Sequence, residues 1–203
     1  MIIRDDMPLP QLNAYMARLP AGLQSYPTCK GKASLFRLIN ELQPVVDIPA
    51  ALPELLRPYL RCTLPASQWV PELDYVLFSI AMDDLRGWDN DGMRRFWRRV
   101  MTHIDNSTMY GLLFRFLSAR MLITTVASRW SSFHLGTTCT AVRAADGVQI
   151  TLGFLHGLFP ELIVHGYLGV FDALGSHSKL FKGESDLLSF NHVEARYLMR
   201  NLA

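Results

Sequence analysis

Residues 137–154, "TTCTAVRAADGVQITLGF", alternate apolar and polar side chains on both sides of Ala145, Asp146 and Gly147. Side chains of a strand point to opposite faces in turn, so this period of two describes a half-buried strand, and Asp-Gly between two such runs is a short-range hairpin signal. The reading is two antiparallel strands, 137 to 144 and 148 to 155, and the chain is therefore not purely helical. Downstream, "LFPELIVHGYLGVFDALGS" reads as a helix opened by Pro160 and Glu161 and closed by Gly175. The last segment, "SKLFKGESDLLSFNHVEARYLMRNL", supplies one or two more strands, with Asn191 and His192 at the turn.

Upstream the period is helical. Prolines at 8, 10, 20, 27, 44, 49, 53, 58 and 65 cut the first 65 residues into short pieces, because proline lacks the N–H that a helix interior needs. Between them, Leu35, Leu38, Ile39 and Leu42 share one helical face, and "LPELLRPYL" repeats the pattern more briefly. In "SQWVPELDYVLFSIAMDDL" we expect Ser67 or the turn after it to cap a helix. Its first turn holds Pro71 and Glu72, its apolar stripe is Leu73, Val76, Leu77 and Ile80, and it stops near Gly87. A further helix starts at Asp89 or Asp91 and runs to about His103, with Met93, Phe96, Trp97, Val100 and Ile104 on one side. The helix after it, leading into "SRWSSFHLGTT", is expected to be central and mostly buried. The fold class is thus α+β in one domain, 1–203: a helical lobe (a proline-punctuated segment 1–65, then 66–135), followed by a small antiparallel sheet unit, strand-strand-helix-strand-strand, over 136–203.

Composition narrows the partners. Half of the residues are apolar and 19% are charged, which suits a packed core better than disorder. Twenty basic against 18 acidic side chains leave a formal charge of +2, so the domain lacks the basic excess that draws a protein onto phosphate backbones, and nucleic acid is not the expected partner. Cys29, Cys62 and Cys139 are odd in number and far apart, without a CxxC pair. That argues against a disulfide framework and a cysteine zinc site and points to a reducing cytoplasm. "MIIRDD" lacks the pattern of a secretory signal, and Arg115 and Arg120 interrupt the most apolar stretch before it reaches the length of a membrane span.

Four arginines, Arg94, Arg95, Arg98 and Arg99, surround Phe96 and Trp97. The aromatics fall on the core-facing arc, so they cannot also stack on bases, and the arginines read as a solvated flank. The six histidines show no HxH or HExxH spacing, so a metal site would have to be assembled by the fold. There is no GxSxG, P-loop or GxGxxG motif, and acyl transfer, phosphoryl transfer and dinucleotide chemistry have no support. Asp83 with Asp84, and Asp89 with Asp91, read as helix-end carboxylates. Cys139 reads as a small buried residue rather than a reactive thiol.

"GLQSYPTCKG" (22 to 31), "SQWVPELDY" (67 to 75), "RWSSFHLGTT" (129 to 138) and "EARYLMRNL" (194 to 202) resemble, in order and spacing, a paralogous family of uncharacterised myxobacterial proteins of similar length. The closing segment departs from it in lacking a tryptophan where Asn201 or Leu202 stands. At greater distance the order of elements is similar to 4-vinyl-reductase-like and haem nitric-oxide-binding-like sensory domains. That resemblance implies a small molecule or acyl chain held between helical lobe and sheet. "FLSAR" also resembles the Tyr-x-Ser-x-Arg that holds haem propionates in the second family, but Phe116 replaces the tyrosine and His103 lies too near it. No cofactor is assigned.

The resulting expectation is a non-enzymatic, dimeric, cytoplasmic sensor that binds a small hydrophobic ligand and acts through a protein partner. Its pocket would be lined by Phe114, Phe116, Met121, Phe133, Phe154, Phe159 and Tyr167, with Arg120, His134 and His103 as polar anchors. The alternative is a protein-interaction module without a ligand, docking through Trp69, Trp88 and the Arg94, Arg95, Arg98 and Arg99 flank.

Overall fold

A computed structural model describes residues 9–42, 52–60, 64–107, 119–177 and 181–201. The chain divides into two compact units, Met1–Asp89 and Asn90–Ala203, with the boundary at the break between two helices.

In the first unit, helix α1 (Pro10–Met16) places its proline at a first-turn position, where the missing N–H has no intrahelical partner to lose. Strand β1 (Lys30–Lys32) pairs antiparallel with β2 (Trp69–Pro71), with Gly31 opposite Val70. Helix α2 (Ser34–Leu42) lies between them in sequence, as does α3 (Arg57–Leu60), which continues a 3-10 turn at Glu54–Leu56. These three-residue strands are too short to show a period, so the sequence reading contains no strand before 137.

Helix α4 (Glu72–Arg86) begins after Pro71 with no side-chain cap. Ser67 does not cap it, because residues 69–71 are drawn into the ladder with β1. The stripe Leu73, Val76, Leu77 and Ile80 is buried as expected. Phe36 stacks on Tyr59 at 4.0 Å and meets Phe78 edge-on at 5.3 Å, which places an aromatic core beneath α4. At the far end Gly87 takes φ +62° and donates its N–H to the Asp83 carbonyl at 2.8 Å. Glycine adopts this left-handed helix stop without steric cost.

The neighbouring carboxylates of α4 do not cap their own helix. Asp84 accepts the backbone N–H groups of Gln11 and Leu12, at 3.2 and 3.0 Å, and so closes the first turn of α1. Asp83 is fully buried and accepts a hydrogen bond from the Gln11 amide. Burial raises its pKa to about 6, with Asp84 and Asp89 adding to the rise.

The second unit contains α5 (Asn90–Ser107), α6 (Ala119–Phe133), the two-residue β3 (His134–Leu135), the hairpin β4 (Thr138–Ala144) and β5 (Gly147–Gly153), α7 (Glu161–His177), and a second hairpin of β6 (Phe181–Phe190) and β7 (Glu194–Asn201). The sheet is antiparallel in the order β4-β5-β7-β6. This is the expected strand-strand-helix-strand-strand unit, and the fold class is α+β.

One sheet face buries Cys139, Val148, Ile150, Leu152, Ala195, Tyr197 and Met199. Fully buried Tyr197 donates its hydroxyl to the Val164 carbonyl of α7 at 3.1 Å and meets Phe171 edge-on at 4.9 Å, which ties helix to sheet.

Two glycines have roles that the sequence does not announce. Gly147 is not in the hairpin turn: it opens β5 opposite Ala144, and a Cβ there would lie 1.9 Å from the Met199 carbonyl oxygen. Gly169 lets α7 touch α5 backbone to backbone, since its Cβ would fall 2.0 Å from the Arg94 carbonyl oxygen. The buried helix of this unit is α7. By contrast α6, expected to be central, leaves most of its described side chains exposed or half-buried, and among those only Val126 is buried.

Candidate binding site

The second unit gathers three of the expected lining residues, Phe154, Phe159 and Tyr167, and the expected anchor His134 into a run of rings. Trp130, near the end of α6, lies parallel to His134 with ring centres 4.0 Å apart and 18° between planes. Tyr167 of α7 meets Trp130 at 5.3 Å and Phe159 at 5.6 Å. Phe159 continues to Phe154 at 4.9 Å, and Phe154 to Phe190 at 6.5 Å. The helical turn at the end of α6 brings Trp130 and His134 onto one face at i, i+4, and the β5–α7 connection returns Phe154 and Phe159 to it.

His134 is 6% exposed, and Phe154, Phe159 and Tyr167 are buried too. The Trp130 indole N–H donates to Thr137 Oγ1 at 2.9 Å, which fixes the plane of the indole. Offset and tilted aromatic pairs of this kind add about 0.5–1.5 kcal/mol each beyond area burial. The cluster packs its π-faces against one another, with an imidazole and a hydroxyl at one end.

Of the other expected residues, the two that are described stand in solvent. Phe133 is 43% exposed: it follows Trp130 by three residues but ends the helix on its solvent side. His103 is exposed on α5. Phe114 and Phe116 lie outside the described residues, as do the side chains of Arg120 and Met121. Trp130 joins the run of rings although the sequence reading does not single it out within "RWSSFHLGTT". Its signal was the i, i+4 spacing to His134.

The arginine helix divides in two. Phe96 and Trp97 are buried as expected. Arg94 is half-buried and forms an ion pair with buried Asp172 of α7 at 2.6 Å. Arg98 donates to Ser176 Oγ at 3.1 Å. Both face α7 because they are four apart on the flank that crosses it, while Arg95 and Arg99 are exposed. Trp69 and Trp88 are half-buried residues of the first unit, and the Trp69 ring carries the Lys32 ammonium at 4.1 Å.

Cys139 is buried, and burial pushes its thiol up to about 12, which disfavours the thiolate. Burial also raises the pKa of Cys29. No group of three or more His, Cys, Asp or Glu side chains able to hold a metal is assembled among the described residues. No described helix is long and apolar enough to cross a membrane. No protein-family model, curated protein or solved structure matches this chain.

Proposed function

We propose that the second unit is a non-enzymatic binding domain for a small apolar molecule, planar or acyl, and that it acts through a protein partner. One observation carries the reading: the run of rings from His134 and Trp130 through Tyr167 and Phe159 to Phe154. It combines apolar area with a few placed polar groups, the composition usual for ligand sites. The docking alternative rests on less, because Arg94 is committed to Asp172 and Arg98 to Ser176.

The test is native mass spectrometry of the chain purified from its own cells, set against the denatured mass. It is joined by titration with palmitate and with 1-anilinonaphthalene-8-sulfonate, read by tryptophan quenching. A retained non-covalent mass, or saturable quenching that Trp130→Phe reduces and Tyr167→Ala abolishes, supports the domain as a ligand binder. A clean apo mass with no saturable response to either probe would sink it.

A further inference from the structure

His156 and His192 come from two loops at the same end of the four-stranded sheet, the β5–α7 connection and the β6–β7 turn, 36 positions apart in sequence. Their ring centres are 5.1 Å apart, with 50° between the planes, and both residues are exposed. The two backbones are held together. The Gly157 N–H donates to the His192 carbonyl at 2.9 Å, and the Phe154 N–H donates to the Val193 carbonyl at 2.9 Å. The turn itself is locked by Asn191, whose Oδ1 accepts the N–H groups of Val193 and Glu194 at 2.9 and 2.8 Å.

Imidazole nitrogens bind zinc at about 2.0–2.1 Å. With each ring centre about 1.1 Å beyond its nitrogen, two imidazoles on one cation at angles between square and tetrahedral have centres roughly 4.5–5.2 Å apart. The observed spacing lies in that window. Because hydrogen bonds hold the two loops together, little backbone ordering entropy is lost on binding.

We infer that His156 and His192 form a two-imidazole site for a late first-row divalent cation, Cu²⁺, Ni²⁺ or Zn²⁺. Nitrogen ligands select these ions against Mg²⁺ and Ca²⁺, and Cu²⁺ binds such a pair most tightly. With two protein ligands the cation keeps exchangeable positions, so it clamps the two loops together and offers a site to an outside donor. This inference does not depend on the aromatic cluster binding a ligand.

The experiment uses the full chain without an oligohistidine tag, stripped with a chelator, in equilibrium dialysis against CuSO₄, NiCl₂, ZnCl₂ and MgCl₂. One equivalent of Cu²⁺ per chain is expected, with Ni²⁺ and Zn²⁺ weaker and Mg²⁺ unbound. The electron paramagnetic spectrum of the Cu²⁺ form should show two coupled nitrogens. His156→Ala and His192→Ala should each weaken binding by tenfold or more, since loss of even an outer-shell partner costs about ten- to hundredfold, while exposed His103→Ala leaves it unchanged. Both site variants replace exposed side chains and should keep the far-ultraviolet circular dichroism of the parent. Failure to bind Cu²⁺, or one equivalent held unchanged by both site variants, overturns the inference.

Discussion

Arg94 and Asp172 form a two-point ion pair inside the second unit, with Nε donating to Oδ2 at 2.6 Å and Nη2 to Oδ1 at 3.0 Å. The residues are 78 positions apart. Asp172 is 1% exposed, and its Oδ1 also accepts the Ser185 N–H at 2.7 Å. Arg94 Nη2 donates in turn to the Ser185 carbonyl at 3.0 Å. One guanidinium thus joins α5, α7 and β6, and the paired carboxylate holds the Arg94 pKa above its ordinary value.

Removing the cation strands a buried carboxylate. Arg94→Met should therefore destabilise the second unit by about 3–5 kcal/mol, the usual cost of breaking a buried pair from one side. Arg94→Lys should cost less, because it keeps the charge and loses only the fork. Arg94→Met with Asp172→Leu should recover much of the loss. Urea denaturation of the three variants measures this, and a double variant as weak as Arg94→Met would show that the pair is not the cause.

Gly169 predicts the opposite of helix propensity. Alanine is the better helix former by about 1 kcal/mol, yet a methyl group here would enter the Arg94 carbonyl oxygen at 2.0 Å and the Arg98 nitrogen at 2.8 Å. Backbone cannot yield as a flexible side chain does, so Gly169→Ala should cost about 1–3 kcal/mol or more through overpacking. A thermal midpoint equal to or above the parent's would mean that α5 and α7 separate freely.

Asp83 gives the first unit a pH dependence. Its folded-state pKa of about 6 lies above its ordinary value of 3.8, so the folded unit holds a proton that the unfolded chain releases. The stabilisation is fully present below about pH 4 and is lost as pH rises through about 6, a swing on the order of 2–3 kcal/mol. Asp83→Asn should flatten that part of the stability profile and raise stability at neutral pH. Thermal unfolding between pH 4 and 7 compares the two, and parallel profiles would remove Asp83 as the source.

The hydrogen bond from Trp130 to Thr137 ties the end of α6 to the segment that enters β4. Trp130→Phe and Thr137→Val should each cost about 1 kcal/mol, the net worth of a neutral hydrogen bond. Together they should cost less than their sum, since each removes the same contact. Strict additivity in a double-mutant cycle would show the two groups to be uncoupled.

The first unit carries the weaker local signals. Its strands span three residues each, too few for an alternation to emerge, and only their mutual pairing makes them strands. Its Ser67 cap failed for the same reason: a local signal lost to a ladder formed with residues more than thirty positions away. In the second unit the DG hairpin placed both strands correctly but misjudged Gly147. The sequence displays a glycine, and the turn and the ladder give different reasons for having one.

Local periodicity alone determined the sheet unit, the apolar stripe of α4 and the inward turn of Phe96 and Trp97, because a period of 2 or 3.6 residues is fixed by the backbone before any tertiary contact forms. Tertiary structure decided what those elements meet. It placed Arg94 on Asp172, set His134 and Trp130 against Tyr167, and brought His156 to His192. Pairings like Arg94 with Asp172 or His156 with His192 depend on how helices and loops return across dozens of residues. Side-chain identity carries no record of that path, so only the folded chain shows which groups become neighbours.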